Sequence, residues 1–139
     1  MIEPQEAMIK YLLGQAGVTA LTGTRIASKH HYGEGWTLGA SGLAVRMDGG
    51  APDIYAPEQR VRLELRAYAN SPANAMTLYL ALVTVSRNTQ RATVSTLAGT
   101  ALVQSFLPAS GASQLYEPTI EMNYVMVIFD AVVGEGNIS

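Results

Sequence analysis

With 139 residues, 48% of them apolar and 14% charged, the chain has the length of one domain and a net charge of −2. A chain of this size buries about 68–70% of its unfolded surface on folding, so no covalent staple is required. The absence of cysteine excludes disulfides and thiolate metal sites, and the charge balance gives no case for nucleic acid. No apolar run approaches the roughly 20 residues of a membrane span. The opening MIEPQEAMIKYLL lacks a basic n-region, so a signal peptide is not expected.

The spacing of Met8, Ile9, Leu12, Leu13 and Ala16 predicts an amphipathic helix over residues 4–15. Pro4 and Glu6 suit its first turn, and Gly14 or Gly17 its end. Residues 18–21 fit one further turn, and Arg25 to Ser28 a short strand. The stretch 29–42, KHHYGEGWTLGASG, holds four glycines, both histidines and the only tryptophan, without periodicity. It reads as a long loop, and loops of that length usually carry function or are disordered. Leu43 to Met47 alternates as a strand, and Asp48-Gly49-Gly50 signals a turn. Residues 51–57, with two prolines, then link to the next strand, so 48–57 forms a second loop.

The strongest segment is EQRVRLELRAYANSPANAMTLYLALVTVSR, from Glu58 to Arg87. Val61, Leu63, Leu65 and Ala67 alternate with Arg60, Arg62, Glu64 and Arg66, so one strand face is apolar and the other charged. Ser71 is placed as an N-cap and Pro72 at the first helical position. Met76, Tyr79, Leu80 and Val83 then mark an apolar helical face. Asn88 to Thr96 is polar and reads as loop; Thr100 to Leu107 reads as a strand begun or bulged at Gly99. After a loop at 108–113, Tyr116 to Val133 reads as one long strand. Its second half, YVMVIFDAVV, is apolar on both faces, as a central strand covered on two sides would be. Residues 134–139 read as a mobile tail. The expected fold class is α+β: a mostly antiparallel sheet of about four to five strands, two helices packed on one face.

Few residues suggest chemistry. His30 and His31 are adjacent in a glycine-rich loop, where side chains diverge, so no metal site is expected. Neither GEG stretch fits a phosphate loop, and no serine sits in an elbow motif. Asp48, Asp53 and Glu58 read as solvated turn acids rather than a catalytic pair. No catalytic residue and no cofactor is therefore expected. The charged strand face is the better clue. Its arginines suit either a solvated sheet face or an interface with bidentate Arg–carboxylate pairs, and a face of both signs can be self-complementary.

The order of elements resembles the tail terminator and tail completion proteins of long-tailed bacteriophages. The resemblance lies in the opening helix IEPQEAMIKYLLGQAGVTALTGTRI, the block APEQRVRLELRAYANSPANAMTLYLALV and the closing LYEPTIEMNYVMVIFDAVV. It spans nearly the whole chain as a pattern of elements and departs in the glycine-rich loop. The resemblance implies one domain over residues 1–139 and a structural, non-enzymatic role in the virion tail or neck. Such a subunit joins a homo-hexameric ring, caps the tail tube protein, ends elongation and presents the surface for head-completion and neck proteins. Arg60, Arg62, Glu64, Arg66, Trp36 and Glu121 are the expected contact residues. The loops 29–42 and 48–57 are expected to order against a neighbour or the tube, and Trp36 either to tuck onto its own domain, the commoner case, or to be kept for a partner. Two other classes fit the residues: another neck, head-closure or tube protein, and a small ligand-binding domain or enzyme with a convergent polar pocket.

Overall fold

The computed structural model describes residues 4–28, 40–52, 58–89, 91–97, 99–118 and 122–135. Three helices and seven strands follow in the order α1 (Pro4–Leu13), α2 (Ala16–Thr22), β1 (Ile26–Ala27), β2 (Gly42–Pro52), β3 (Glu58–Ala69), α3 (Pro72–Asn88), β4 (Ala92–Thr96), β5 (Gly99–Pro108), β6 (Ser113–Glu117) and β7 (Met122–Glu135). The strands form one curled, half-barrel sheet ordered β1-β2-β3-β7-β5-β4, with β6 also paired to β7.

The protein is therefore mostly β, and this corrects the expected α+β fold with a four- to five-stranded, mostly antiparallel sheet and two helices. Three features account for the difference. The polar stretch read as loop contains β4, an edge strand whose half-buried Ala92, Val94 and Thr96 alternate with exposed Thr93 and Ser95. The single long strand read from Tyr116 is two, β6 and β7, antiparallel in register from Ser113↔Met126 to Glu117↔Met122. The sheet is also mixed, because β1 pairs with β2 in parallel. Two- and five-residue strands at an edge bury too little to leave an apolar period.

β7 runs through the centre of the sheet. One side pairs with β3 from Glu58↔Gly134 to Ala69↔Asn123. The other side is shared, with β5 on its C-terminal half and β6 on its N-terminal half. β5 and β6 thus behave as one strand interrupted by four residues. The ladder crosses the interruption: Ala109 N donates to Ile128 O at 2.7 Å, and Ile128 N donates to Ser110 Oγ at 2.9 Å. Gly134 and Glu135, expected in a mobile tail, continue β7.

One core holds the helices to the sheet. Val61, Leu63, Leu65 and Ala67 of β3 face it, as their alternation requires, together with Val125, Val127, Phe129 and Ala131 of β7. Phe129 stacks on Phe106 of β5, ring centroids 4.3 Å apart. Each fully buried side chain of this size contributes roughly 1.5–3 kcal/mol. α1 lies against both β2 and β4 and bridges them: Met47 N donates to Gln5 Oε1 at 2.9 Å and Leu97 N to Glu6 Oε1 at 2.8 Å. Ser71 caps α3 by accepting from Asn74 N at 3.2 Å, with Pro72 opening the helix.

Two local expectations are corrected. The buried face of α3 is Ala75, Leu78, Leu82 and Val85, one step from the predicted Met76, Tyr79, Leu80 and Val83; Leu80 is exposed. Asp48-Gly49-Gly50 does not turn the chain. β2 continues through it, with the register shifting between Met47 and Gly50. Asp48 and Gly49 together oppose Arg62, which is a β-bulge. Gly49 has φ +118, a conformation open to glycine and strained for other residues.

Candidate functional site

The register of β3 with β7 decides what lies on the sheet face turned away from the helices. Arg60, Arg62, Glu64, Arg66 and Tyr68 stand opposite Val132, Asp130, Ile128, Met126 and Tyr124. The helices' buried residues all belong to the other face, so the charged row stands outside the main core. The structure divides this row into two halves with different environments.

The first half is satisfied within the chain. Arg66 Nε donates to Glu64 Oε1 at 2.8 Å, and both side chains are only 18–19% exposed. The guanidinium lies over the Tyr124 ring, 5.0 Å from its centroid, within cation–π range. Tyr68 packs against the same ring at 5.0 Å and forms a small buried cluster with Ala44 and Met122. The Tyr68 hydroxyl donates to Glu117 Oε2 at 3.1 Å, which ties the β6–β7 hairpin to β3. Burial pushes the Tyr68 phenol above its ordinary range, since the phenolate would lose its water.

The second half is open. Arg62 Nε lies 3.6 Å from Asp130 Oδ1 across the β3–β7 ladder, the two side chains 56% and 57% exposed. A pair so exposed contributes about 0–1 kcal/mol and rearranges easily. Together with Asp48, Gly49, Arg60 and Leu107 it lines a groove of about 470 Å³. A smaller concavity of about 240 Å³ separates the first turn of α3, at Pro72 and Ala75, from Leu115 and Tyr116 of β6.

Of the residues singled out in the sequence, Arg60 and Arg62 are exposed on the open half, and Glu64 and Arg66 form the enclosed pair. Trp36, Glu121, His30, His31 and Asp53 lie outside the described residues. Asp48 reaches the groove through the bulge. Asp130, Glu117 and Tyr68 were not singled out. The alternation of the two strands fixes which face each residue takes, but only the observed register sets Asp130 beside Arg62. Among the described residues, no three His, Asp or Glu side chains converge on a possible metal site. None of the described helices is long and apolar enough to cross a membrane. The open half exposes both signs of charge and Leu107 around a groove.

No family model matches the sequence, and no curated protein matches it. Its fold does have a counterpart among solved structures. A chain from the "Virion of native gene transfer agent (GTA) particle" matches with a TM-score of 0.62, covering 94% of this chain and 93% of that one at 17% identity. At that identity the likeness is one of fold.

Proposed function

We propose that this chain is a structural subunit of a phage-like virion and, within it, the tail terminator: a ring, hexameric in the family resembled, that caps the tail tube and presents the head-joining surface. The observation that carries the reading is the fold likeness to a chain of a gene transfer agent virion over nearly the full length of both chains. The resemblance of the element order to tail terminators supports the finer part of the reading. In this role the chemistry is association, with no bond made or broken. Arg60, Arg62, Glu64 and Arg66, with Trp36 and Glu121, are the proposed contact residues. The open half of the sheet face, around Arg60 and Arg62, is the part already accessible in the isolated chain.

The test is removal of this chain from the particle that encodes it, followed by electron microscopy. The expected result is tails of uncontrolled length and separate filled heads, restored by supplying the chain in trans as a ring at the tail end. Joined particles with tails of ordinary length in its absence refute the terminator role. Loss of the tube itself makes the chain a tube component instead.

A further inference from the structure

One row across the sheet crosses four strands and changes character at each. The Asp48–Gly49 bulge of β2 stands opposite Arg62 of β3. Arg62 stands opposite Asp130 of β7, and Asp130 opposite Leu107 of β5. The order is therefore a glycine dent bearing the Asp48 carboxylate, then cation, anion and knob. Leu107 is 56% exposed. Gly49 has open space where a side chain would begin, with no atom of the described residues within 4 Å of a Cβ at that position.

That order is its own complement under a half-turn. An axis lying between two such faces, directed along β3 and β7 and passing between them, exchanges left for right. It sets Arg62 of one copy over Asp130 of the other and Asp130 over Arg62. In the same operation each Leu107 arrives over the Asp48–Gly49 bulge of the opposite copy. Sheet faces pack about 10 Å apart with strands roughly aligned, close enough for these side chains to meet. Two weak cross-strand pairs become an alternating ring of four charges, partly removed from water, where each guanidinium finds a second carboxylate. The half-buried Ile128 and Val132 flank the row on β7 and supply apolar contact.

The geometry points to a face-to-face pairing of two copies of this chain through the Arg62–Asp130 row, an isologous contact with Leu107 seated on the partner's glycine bulge. The occupant is a second copy because the half-turn exchanges Arg62 with Asp130, so each guanidinium meets a carboxylate of the other copy, with the Asp48 carboxylate on the Arg62 side of the row. A purely acidic partner would oppose Asp48 and Asp130, and a purely basic one Arg62. The inference does not depend on the virion reading, and it concerns the isolated chain.

Charge exchange tests it. The isolated chain is followed by sedimentation velocity from about 1 µM to about 1 mM at low salt, then with added salt to screen the pairs. Wild type is expected to dimerise, less so at high salt. Arg62→Asp and Asp130→Arg each place four like charges at the contact, and each alone is expected to dimerise at least tenfold more weakly. An equimolar mixture of the two, and separately the double variant R62D/D130R, is expected to recover association. Both positions are exposed, and an unchanged melting temperature verifies folding. Leu107→Ser is expected to weaken the dimer without altering its salt dependence. The proposal is overturned by a wild type that stays monomeric throughout. Single variants that associate as wild type does, in a dimer or a larger ring, also overturn it. So does failure of both the mixture and the double variant to recover.

Discussion

Reversing the two arginines of the charged row separately should give different results, because their surroundings differ. Arg66→Glu removes a charge-assisted hydrogen bond of 2.8 Å to Glu64 in a pair only 18–19% exposed. Hydrogen bonds to charged groups contribute about 1.5–3 kcal/mol. It also removes the guanidinium from the Tyr124 ring, 5.0 Å away, a contact worth about 1 kcal/mol at a partly desolvated site. The new carboxylate stands two residues from Glu64 on the same face, and like charges there add to the cost. Relaxation of the new side chain towards water offsets part of it, leaving a loss of about 3–4 kcal/mol. At about 4 °C per kcal/mol for a chain of this length, the melting temperature should fall by about 12–16 °C. Arg62→Glu removes only the 3.6 Å pair with Asp130, in which both partners are more than half exposed. Its expected cost is within about 1 kcal/mol. Urea denaturation of the two variants at neutral pH and matched salt measures the difference directly, with Arg66→Lys as the variant that keeps charge but loses the planar fork. Midpoints for the two glutamate variants that agree within about 0.5 kcal/mol refute the division of the row into an enclosed half and an open half.

Two further outcomes are expected. Because burial raises the Tyr68 phenol, the folded state holds that proton more tightly than the unfolded chain does. Stability is then full below the ordinary phenol value of about 10 and falls as pH rises past it, and Tyr68→Phe should remove this part of the alkaline loss in denaturation curves measured against pH. Gly49→Ala should destabilise by about 1–3 kcal/mol through the backbone, since its φ is +118 and none of the described residues crowds the new Cβ. Gly111→Ala, at a site equally open but without positive φ, should stay within about 0.5 kcal/mol in the same thermal melts.

The parts of the fold legible in the sequence are those where two kinds of residue alternate. Arg60 to Ala67 could be read because charge and apolarity change at every step, leaving one choice of inner face. Ser71 and Pro72 could be read because a cap is a local chemical fact. The phase of α3 could not, because apolar residues occur almost all round it. Leu78 and Leu82 face the sheet while Leu80 does not, and only tertiary packing distinguishes them. Asp48-Gly49-Gly50 carries the same residues whether it turns the chain or bulges a strand, and in the structure β2 continues past it on β3 as far as Pro52↔Gln59.

The most instructive element is β7. Its apolar character on both sides predicted a strand covered twice; among the described residues, helices cover Val125, Val127, Phe129 and Ala131 on one side, and a smaller cluster buries Met122 on the other. On the other side Met126, Ile128 and Val132 remain half-buried in line with Asp130. For a central strand with only polar contacts outside, alternation would be the ordinary pattern, as it is on β3 beside it. A second apolar stripe instead suits the face-to-face pairing proposed above. The single carboxylate within that stripe lies opposite an arginine, with an exposed leucine on its other side. A charge so placed costs little while the face is open to water and fixes the register when a second surface closes over it. That is why the Arg62 and Asp130 exchange, rather than truncation of the apolar stripe, is the sharper test: truncation weakens any contact made by this face, whereas charge exchange recovers only the contact in which these two side chains meet.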